Sequence, residues 1–356
     1  MSDNNRYQRQ TIFPELGKDG QQKLLAATAV IVGCGATGTA LANLLTRAGI
    51  GHLRIIDRDF IELNNLQRQT LFDEADIAAN LPKAEAAARK LRLINSEIEI
   101  EAIVADVNPG NVLGYLRDAT VVLDGTDNFS TRYLLNDACI QLSKPWIYTG
   151  VIASYGMSAT FVPDGAAEML PHFENEPRAT TGCLRCVLGE MPAPGTTATC
   201  DTAGVIGPAV AMITALPAVE AIKLIIGRGT LNNGLIHMDL WTHEYEQFRS
   251  APRRTDCITC EQHNFEFLNA KAGTATASLC GRNAVQVAML GQQRLNLAAI
   301  AAQLTNIASE QKQNEFMIKA KIDEYEFTIF PDNRAIIKGT DDPDIAKSLY
   351  ARYIGS

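Results

Sequence analysis

Residues 27–35, ATAVIVGCG, form an apolar run of the kind a strand buried on both faces of a parallel sheet requires. Residues 39–49, TALANLLTRAG, carry apolar side chains at helical spacing and stop at Gly49, and residues 52–59, HLRIIDRD, make a second strand ending in acid. The alternation continues. Residues 82–95 predict a helix opened by Pro82 and Lys83, residues 98–106 and 120–127 predict strands, and residues 130–143, STRYLLNDACIQLS, predict another helix. Strand, glycine turn, helix and strand in this order imply an α/β fold, a Rossmann-like, doubly wound, mostly parallel sheet.

After Trp146 the texture changes. Residues 146–162 and 234–249 read as strands, and between them residues 189–204, GEMPAPGTTATCDTAG, read as a crossing loop. Residues 204–227, GVIGPAVAMITALPAVEAIKLIIG, are apolar, but Pro217, Glu220 and Lys223 interrupt them and leave too short an uncharged stretch to span a bilayer. A buried or subunit-interface helix is expected there, and no membrane. Beyond about Glu266 the pattern becomes strand, helix, strand pair and helix, with a flexible joint at Lys271 to Thr276. Two domains follow, residues 1–265 and a small α+β C-terminal extension at 266–356.

The chain has 356 residues, 32 basic and 40 acidic, for a net charge of −8, which argues against nucleic acid as a partner. Residues 1–10 lack the basic start and apolar run of a signal peptide, which predicts a cytoplasmic protein. In that compartment eight cysteines point to metal or catalysis rather than to disulfides.

Gly33, Gly35 and Gly38 allow a tight turn and a close approach of phosphate or ribose to the following helix N-terminus, whose amides and dipole favour anions. Asp57, at the end of the second strand, is placed to accept ribose hydroxyls. To this point NAD and ATP fit equally, so an NAD-dependent oxidoreductase stays open. The residues that follow break the tie: Asp59, Asn65, Arg68 and Gln69 in DRDFIELNNLQRQ, Lys83 in LPKAEAA, and Asp127 in LDGTDN. A triphosphate needs cations on its phosphates and a carboxylate for magnesium, and Arg68, Lys83 and Asp127 supply them.

Two cysteine pairs, Cys183 with Cys186 and Cys257 with Cys260, are each C-x-x-C. Four thiolates so spaced can meet around a tetrahedral Zn2+ in a closed structural site that staples two loops. A redox dithiol is the alternative, but such a pair sits alone at a strand-to-helix turn. Cys34, inside the glycine loop, and Cys139 are expected to pack in the core, and Cys280 has no partner that suggests chemistry. Cys200 precedes DTAGVIGP in the crossing loop, near a helix N-terminus that can lower a thiol's pKa. His172, His237 and His243 form no spaced cluster.

The segments RYQRQ, VGCGATG, DRDFIELNNLQRQ, LPKAEAA, LDGTDNFSTRYLLN, CLRC, TCDTAGVIGP and CITC, between about residues 6 and 262, closely resemble the ubiquitin-activating-like adenylyltransferases of bacteria, the ThiF, MoeB and HesA group. Where that group pairs two glycines this chain has Gly35 and Ala36, and Asn64 stands where a serine is usual. The resemblance implies a homodimer that binds ATP and Mg2+ and adenylates the C-terminal glycine of a small ubiquitin-like sulfur-carrier protein. Its nucleotide contacts map onto Gly35, Asp57, Asn65, Arg68 and Lys83, its magnesium acid onto Asp127, and an arginine lent between subunits onto Arg9. Cys200 matches the cysteine that takes the acyl group or joins a sulfur relay in ThiF-like relatives, and on which MoeB-like relatives do not depend. Carriers of the ThiS type, for thiamine thiazole, and of the MoaD type, for molybdopterin, both fit, and the extension resembles one found on ThiF-type proteins. That extension has no rhodanese-like cysteine loop, so a separate sulfur donor protein is implied. With Arg9, Arg68, Lys83 and Asp127 all present, a non-catalytic scaffold is the weaker reading.

Overall fold

Strand β1 (Thr28–Val32) is apolar at every buried position because both its faces are covered: Ala29 and Ile31 pack in one core layer, Val30 and Val32 in the other. It lies in an eight-stranded sheet with β2 (His52–Asp57), β3 (Glu99–Val104), β4 (Val121–Asp124), β5 (Trp146–Ile152), β6 (Tyr155–Phe161), β7 (Leu235–Asp239) and β8 (Glu244–Phe248), in the order β3-β2-β1-β4-β5-β6-β7-β8. The computed structural model describes residues 5–167, 181–193, 196–232, 234–248, 252–270, 274–279, 283–289 and 294–355. His172, Cys280 and the start of the joint at Lys271 lie outside the described residues.

Strands β1 to β5 pair in parallel, and β6, β7 and β8 continue the sheet antiparallel. Helices α1 (Gly17–Ala26), α2 (Ala36–Ala48), α3 (Lys83–Ile94) and α5 (Gly207–Ile226) bury Leu24, Leu45, Leu91 and Leu224 on one face, against Ile31, Ile55 and Leu123. Helix α4 (Phe129–Gln141) buries Leu135, Ala138 and Cys139 on the other, against Val30, Val122 and Trp146. The sheet is therefore doubly wound, and Cys34 and Cys139 are fully buried packing residues.

Among the described residues α5 is the one helix long and apolar enough to cross a membrane, and most of it is buried. Its acid is accounted for internally: Glu220 accepts the Thr160 hydroxyl at 2.9 Å, the Asn232 amide at 2.8 Å and the Lys223 ammonium at 2.7 Å. Pro217 stands inside the helix without ending it.

The strand order reverses at β1, with β2 on one side and β4 on the other, which opens a crevice at their carboxyl ends. The glycine turn lines this crevice and leaves no room for a side chain at two of its positions. A Cβ on Gly33, whose φ is +93°, would lie 2.5 Å from the Gly125 carbonyl oxygen, and one on Gly38 would lie 1.9 Å from that of Gly33.

Contacts divide the chain into two units, Met1–Asn269 and Ala270–Ser356. The second contains β9 (Thr274–Leu279), β10 (Ala284–Met289), α6 (Leu297–Leu304), β11 (Glu310–Gln313), β12 (Ile318–Ile322), β13 (Tyr325–Ile329), β14 (Arg334–Lys338) and α7 (Pro343–Tyr353). Its antiparallel sheet has the order β11-β12-β13-β14-β10-β9, and Leu304 and Tyr350 of the helices pack on Val285, Ile318, Phe327 and Ile337. The unit is richer in β-structure than the periodicity predicts. Residues 277–289 span two strands and residues 316–339 three, while β11, EQKQ, is a polar edge strand with no apolar signal to read.

Candidate active site

Helix α2 begins at Gly35 with no side chain capping its first turn, so its leading amides face the crevice as free donors. The protein atom nearest to a Cβ built on Gly35 is Gln69 Nε2, at 3.9 Å. Gln69 is itself buried, and its Oε1 has no hydrogen-bond partner among the described residues. The open glycine and unspent amides suit an anion, and the orphaned Gln69 oxygen, an acceptor, suits a hydroxyl donor on the same ligand.

Asp57 ends β2 and ties the turn to its own strand: one carboxylate oxygen accepts the Cys34 N–H at 2.5 Å, the other the Asp59 N–H at 2.6 Å. Burial pushes its pKa up, and Lys83 opposes that rise. Lys83 is the first residue of α3, is buried, and has its Nζ 3.6 Å from Asp59 Oδ2. Burial pulls the ammonium down, but Asp59, Asp57 and Asp127 outweigh it and hold its pKa above the ordinary lysine value. The sheet thus gathers Asp57, Asp59 and Asp127 around Lys83, with Arg58 paired to Asp59 at 3.7 Å and to Asp106 at 3.0 Å, four carboxylates to two cations. A triphosphate entering this crevice needs a further positive charge, which suits a divalent metal.

Asp127 is exposed, between Thr126 and the α4 cap, where Asn128 Oδ1 accepts the Thr131 N–H at 2.9 Å. Arg68 is half-buried and donates to the Asn64 carbonyl at 2.7 Å. Asn65 is buried, and its side-chain oxygen accepts the Glu62 N–H at 3.1 Å, closing the loop around Leu63–Asn65. These two residues shape their own loop. Arg9 lies exposed on the one-turn helix Gln8–Thr11, which Gln10 fastens to the Ala48 carbonyl at 2.8 Å. Cys200 opens the one-turn helix Cys200–Ala203, and its thiol donates to the Val151 carbonyl at 3.6 Å, beside the end of β5. His237 packs against the Tyr155 ring, with centroids 5.4 Å apart.

Sequence reasoning passed over one group here. Asp124, fully buried at the end of β4, accepts the Arg132 Nε–H at 2.9 Å. A carboxylate closing an apolar strand and an arginine in the first turn of the next helix were the available signal.

The four paired cysteines meet. Cys183 caps the one-turn helix Leu184–Leu188, which carries Cys186, and the Leu184 N–H donates to Asn136 of α4 at 2.9 Å. Sulfur pairs lie 3.9 Å (Cys183–Cys186), 3.6 Å (Cys183–Cys257) and 3.5 Å (Cys186–Cys260) apart. Tetrahedral Zn2+ with bonds of about 2.3 Å sets its sulfurs about 3.8 Å apart, so the cluster can hold a metal. Bonds from Cys183 and Cys260 hold the Cys186 thiol far below the ordinary value, while Cys183 is pushed up to about 12 by its contact with Cys186. Four thiolates gathered this closely need a cation among them.

The crevice offers amide donors and a carboxylate-rich cation site, so its class is that of an α/β nucleotide-binding protein. The chain belongs to the ThiF family, whose pattern matches residues 7–259. Over 351 residues it is 40% identical to a sulfur carrier protein ThiS adenylyltransferase of Bacillus subtilis (strain 168), spanning 98% of this chain and 99% of that one. It is 35% identical over 259 residues to a SAMP-activating enzyme E1 of Haloferax volcanii, spanning 72% of this chain and 88% of the relative. A crystal structure of E. coli MccB with ATP superposes with a TM-score of 0.59 at 25% identity, covering 72% of this chain and 75% of that one.

Proposed function

We propose that this chain is an adenylyltransferase that uses ATP to adenylate the C-terminal glycine of a small ubiquitin-like sulfur-carrier protein of the ThiS type, ahead of thiocarboxylate formation. The observation that carries this reading is the likeness to the ThiS adenylyltransferase, which runs through both units, whereas the match to the archaeal relative covers 72% of the chain. A MoeB-type reaction on a MoaD-like carrier is the second reading, since the family pattern ends at residue 259 and the nucleotide site lies within it.

In this reaction the carrier's terminal carboxylate attacks the α-phosphorus of ATP, an acyl-phosphate bond forms, and pyrophosphate leaves. Both reactants are anions, so catalysis is positioning and charge neutralisation. Gly33, Gly35 and Gly38 let the phosphates approach the α2 amides, Asp57 and Asn65 order the nucleotide side of the crevice, and Lys83 and Arg68 offset phosphate charge. Asp127 is the acid suited to hold Mg2+, whose charge would screen the triphosphate oxygens. Arg9 serves the site of a second copy of the chain in a homodimer. Cys200, whose thiol rests on the Val151 carbonyl, receives the acyl group or joins the sulfur relay, with sulfur supplied by a separate donor protein. The four cysteines hold a structural Zn2+, and the protein works in the cytoplasm.

ATP–pyrophosphate exchange dependent on a purified carrier tests the proposal, with ThiS-type and MoaD-type carriers run side by side. Lys83→Ala and Arg68→Ala should lower the exchange by orders of magnitude in folded protein, and Cys200→Ala should leave it intact while thiocarboxylate formation falls. Absence of carrier-dependent exchange in the wild type would remove the assignment.

A further inference from the structure

Three of the groups around Arg132 belong to different parts of the crevice. Arg132 is buried, 7% exposed, and its side chain runs from α4 to the end of β4 and the middle of β5. Its Nε donates to Asp124 Oδ2 at 2.9 Å, and its Nη2 donates to the Thr126 carbonyl at 2.7 Å and the Thr149 carbonyl at 3.2 Å. The rings of Phe129 and Tyr148 flank the guanidinium at 5.4 and 5.1 Å. Asp124 in turn accepts the Thr126 N–H at 2.9 Å and its hydroxyl at 2.6 Å. Thr126 is therefore fastened at its amide, hydroxyl and carbonyl, and on the far side Asn128 is fixed as the α4 cap. Between them Asp127 is exposed, with a contact of 3.5 Å from the Asn128 amide as its own hydrogen bond. The backbone on either side of it is held, which sets the direction in which the Asp127 side chain leaves the chain.

We propose that Arg132 is the positioning residue of the site: it locks the loop bearing Asp127 to the middle of β5, so that this acid is presented for the metal before any nucleotide arrives. The inference rests on the proposed role of Asp127. An arginine is needed because one planar guanidinium reaches a carboxylate and two carbonyls in different directions, and a lysine ammonium cannot copy that fork. The lock also links the two halves of the reaction. Thr149 lies two residues before Val151, whose carbonyl accepts the Cys200 thiol, so the strand that Arg132 grips on the nucleotide side is the strand Cys200 rests on.

Arg132→Lys keeps the charge opposite Asp124 and removes the hold on Thr126 and Thr149. Three readouts are compared with wild type: the Mg2+ concentration for half-maximal binding of a fluorescent ATP analogue, binding of the same analogue without Mg2+, and amide hydrogen exchange of residues 125–128 in the nucleotide-free chain. The Mg2+ midpoint should rise about tenfold or more, as for other residues that orient metal ligands, while metal-free binding stays within about twofold. Exchange at 125–128 should quicken and exchange in β1 and β2 should not. If Arg132→Lys melts below the assay temperature, the Asp124→Asn, Arg132→Gln pair, which carries no unpaired buried charge, takes its place with the same expectation. An unchanged Mg2+ midpoint in folded protein overturns the proposal, and so does an equal loss of metal-free binding, which would mark a general structural role. Failure of wild-type exchange with both carriers would instead sink the adenylation reading and leave the nucleotide-binding comparison to judge Arg132.

Discussion

Gly35 and Gly38 belong to one turn, yet replacing each by alanine should damage different properties. A Cβ at position 38 would stand 1.9 Å from the Gly33 carbonyl oxygen and 2.8 Å from its carbon, both backbone atoms, so the turn itself has to move. Overpacking of this kind costs about 3 kcal/mol or more, which in a unit of this size lowers the melting temperature by roughly 6 °C or more. At position 35 the nearest atom is a flexible side-chain nitrogen 3.9 Å away, and the residue is a helix N-cap, where alanine in place of glycine costs at most about 1 kcal/mol. The new methyl would instead occupy the space through which phosphate reaches the α2 amides. Gly35→Ala should thus melt within a few degrees of wild type and bind Mg·ATP about tenfold or more weakly, a loss of about 1.4 kcal/mol. Thermal melts with calorimetric titration of Mg·ATP separate the two. Wild-type affinity in Gly35→Ala, or a wild-type melt in Gly38→Ala, would refute the division of the turn into a folding glycine and a ligand glycine.

Metal analysis should find about one zinc per chain, lost in the Cys257→Ser, Cys260→Ser variant, and chelation should lower the melting temperature before it weakens ATP binding; zinc retained by the double variant counts against the four-thiolate site. Asp137 of α4 is buried and accepts the Phe267 N–H at 2.9 Å, and burial pushes its pKa up to about 6. Its folded pKa lies above the unfolded one, so between about pH 4 and 6 the folded state binds the extra proton and stability falls as pH rises, by at most about 3 kcal/mol. The melting difference between Asp137→Asn and wild type should therefore move in favour of the asparagine as pH rises through that window, and a difference independent of pH would show that Asp137 stays ionised.

What could be read from the chain beforehand depended on whether backbone conformation itself demands a residue type. Gly33 and Gly38 were legible because the turn excludes any Cβ, and the strand and helix around them announce the turn by periodicity. The cysteine pairs were legible because each C-x-x-C already brings two sulfurs together, and a second pair 74 residues on leaves few other uses for four thiols. Arg68 was singled out from the sequence as a phosphate cation and Asn65 was matched to a nucleotide contact by resemblance, but the hydrogen bonds by which they close the loop on Asn64 and Glu62 are a matter of side-chain geometry that no spacing encodes. Arg132 was missed for a related reason. Its partners Asp124, Thr126 and Thr149 are short polar residues, each with an ordinary local reading as a strand end or turn, and only the placement of β4 beside β5 makes them converge on one guanidinium. The polar strand β11 was invisible on the same grounds, since it belongs to its sheet through backbone pairing with β12 and not through any buried side-chain pattern of its own. Chemistry that depends on which strands are neighbours becomes readable once the sheet order is known, and in this chain the order β1-β4-β5 is what turns an unremarked arginine into the part of the site most open to test.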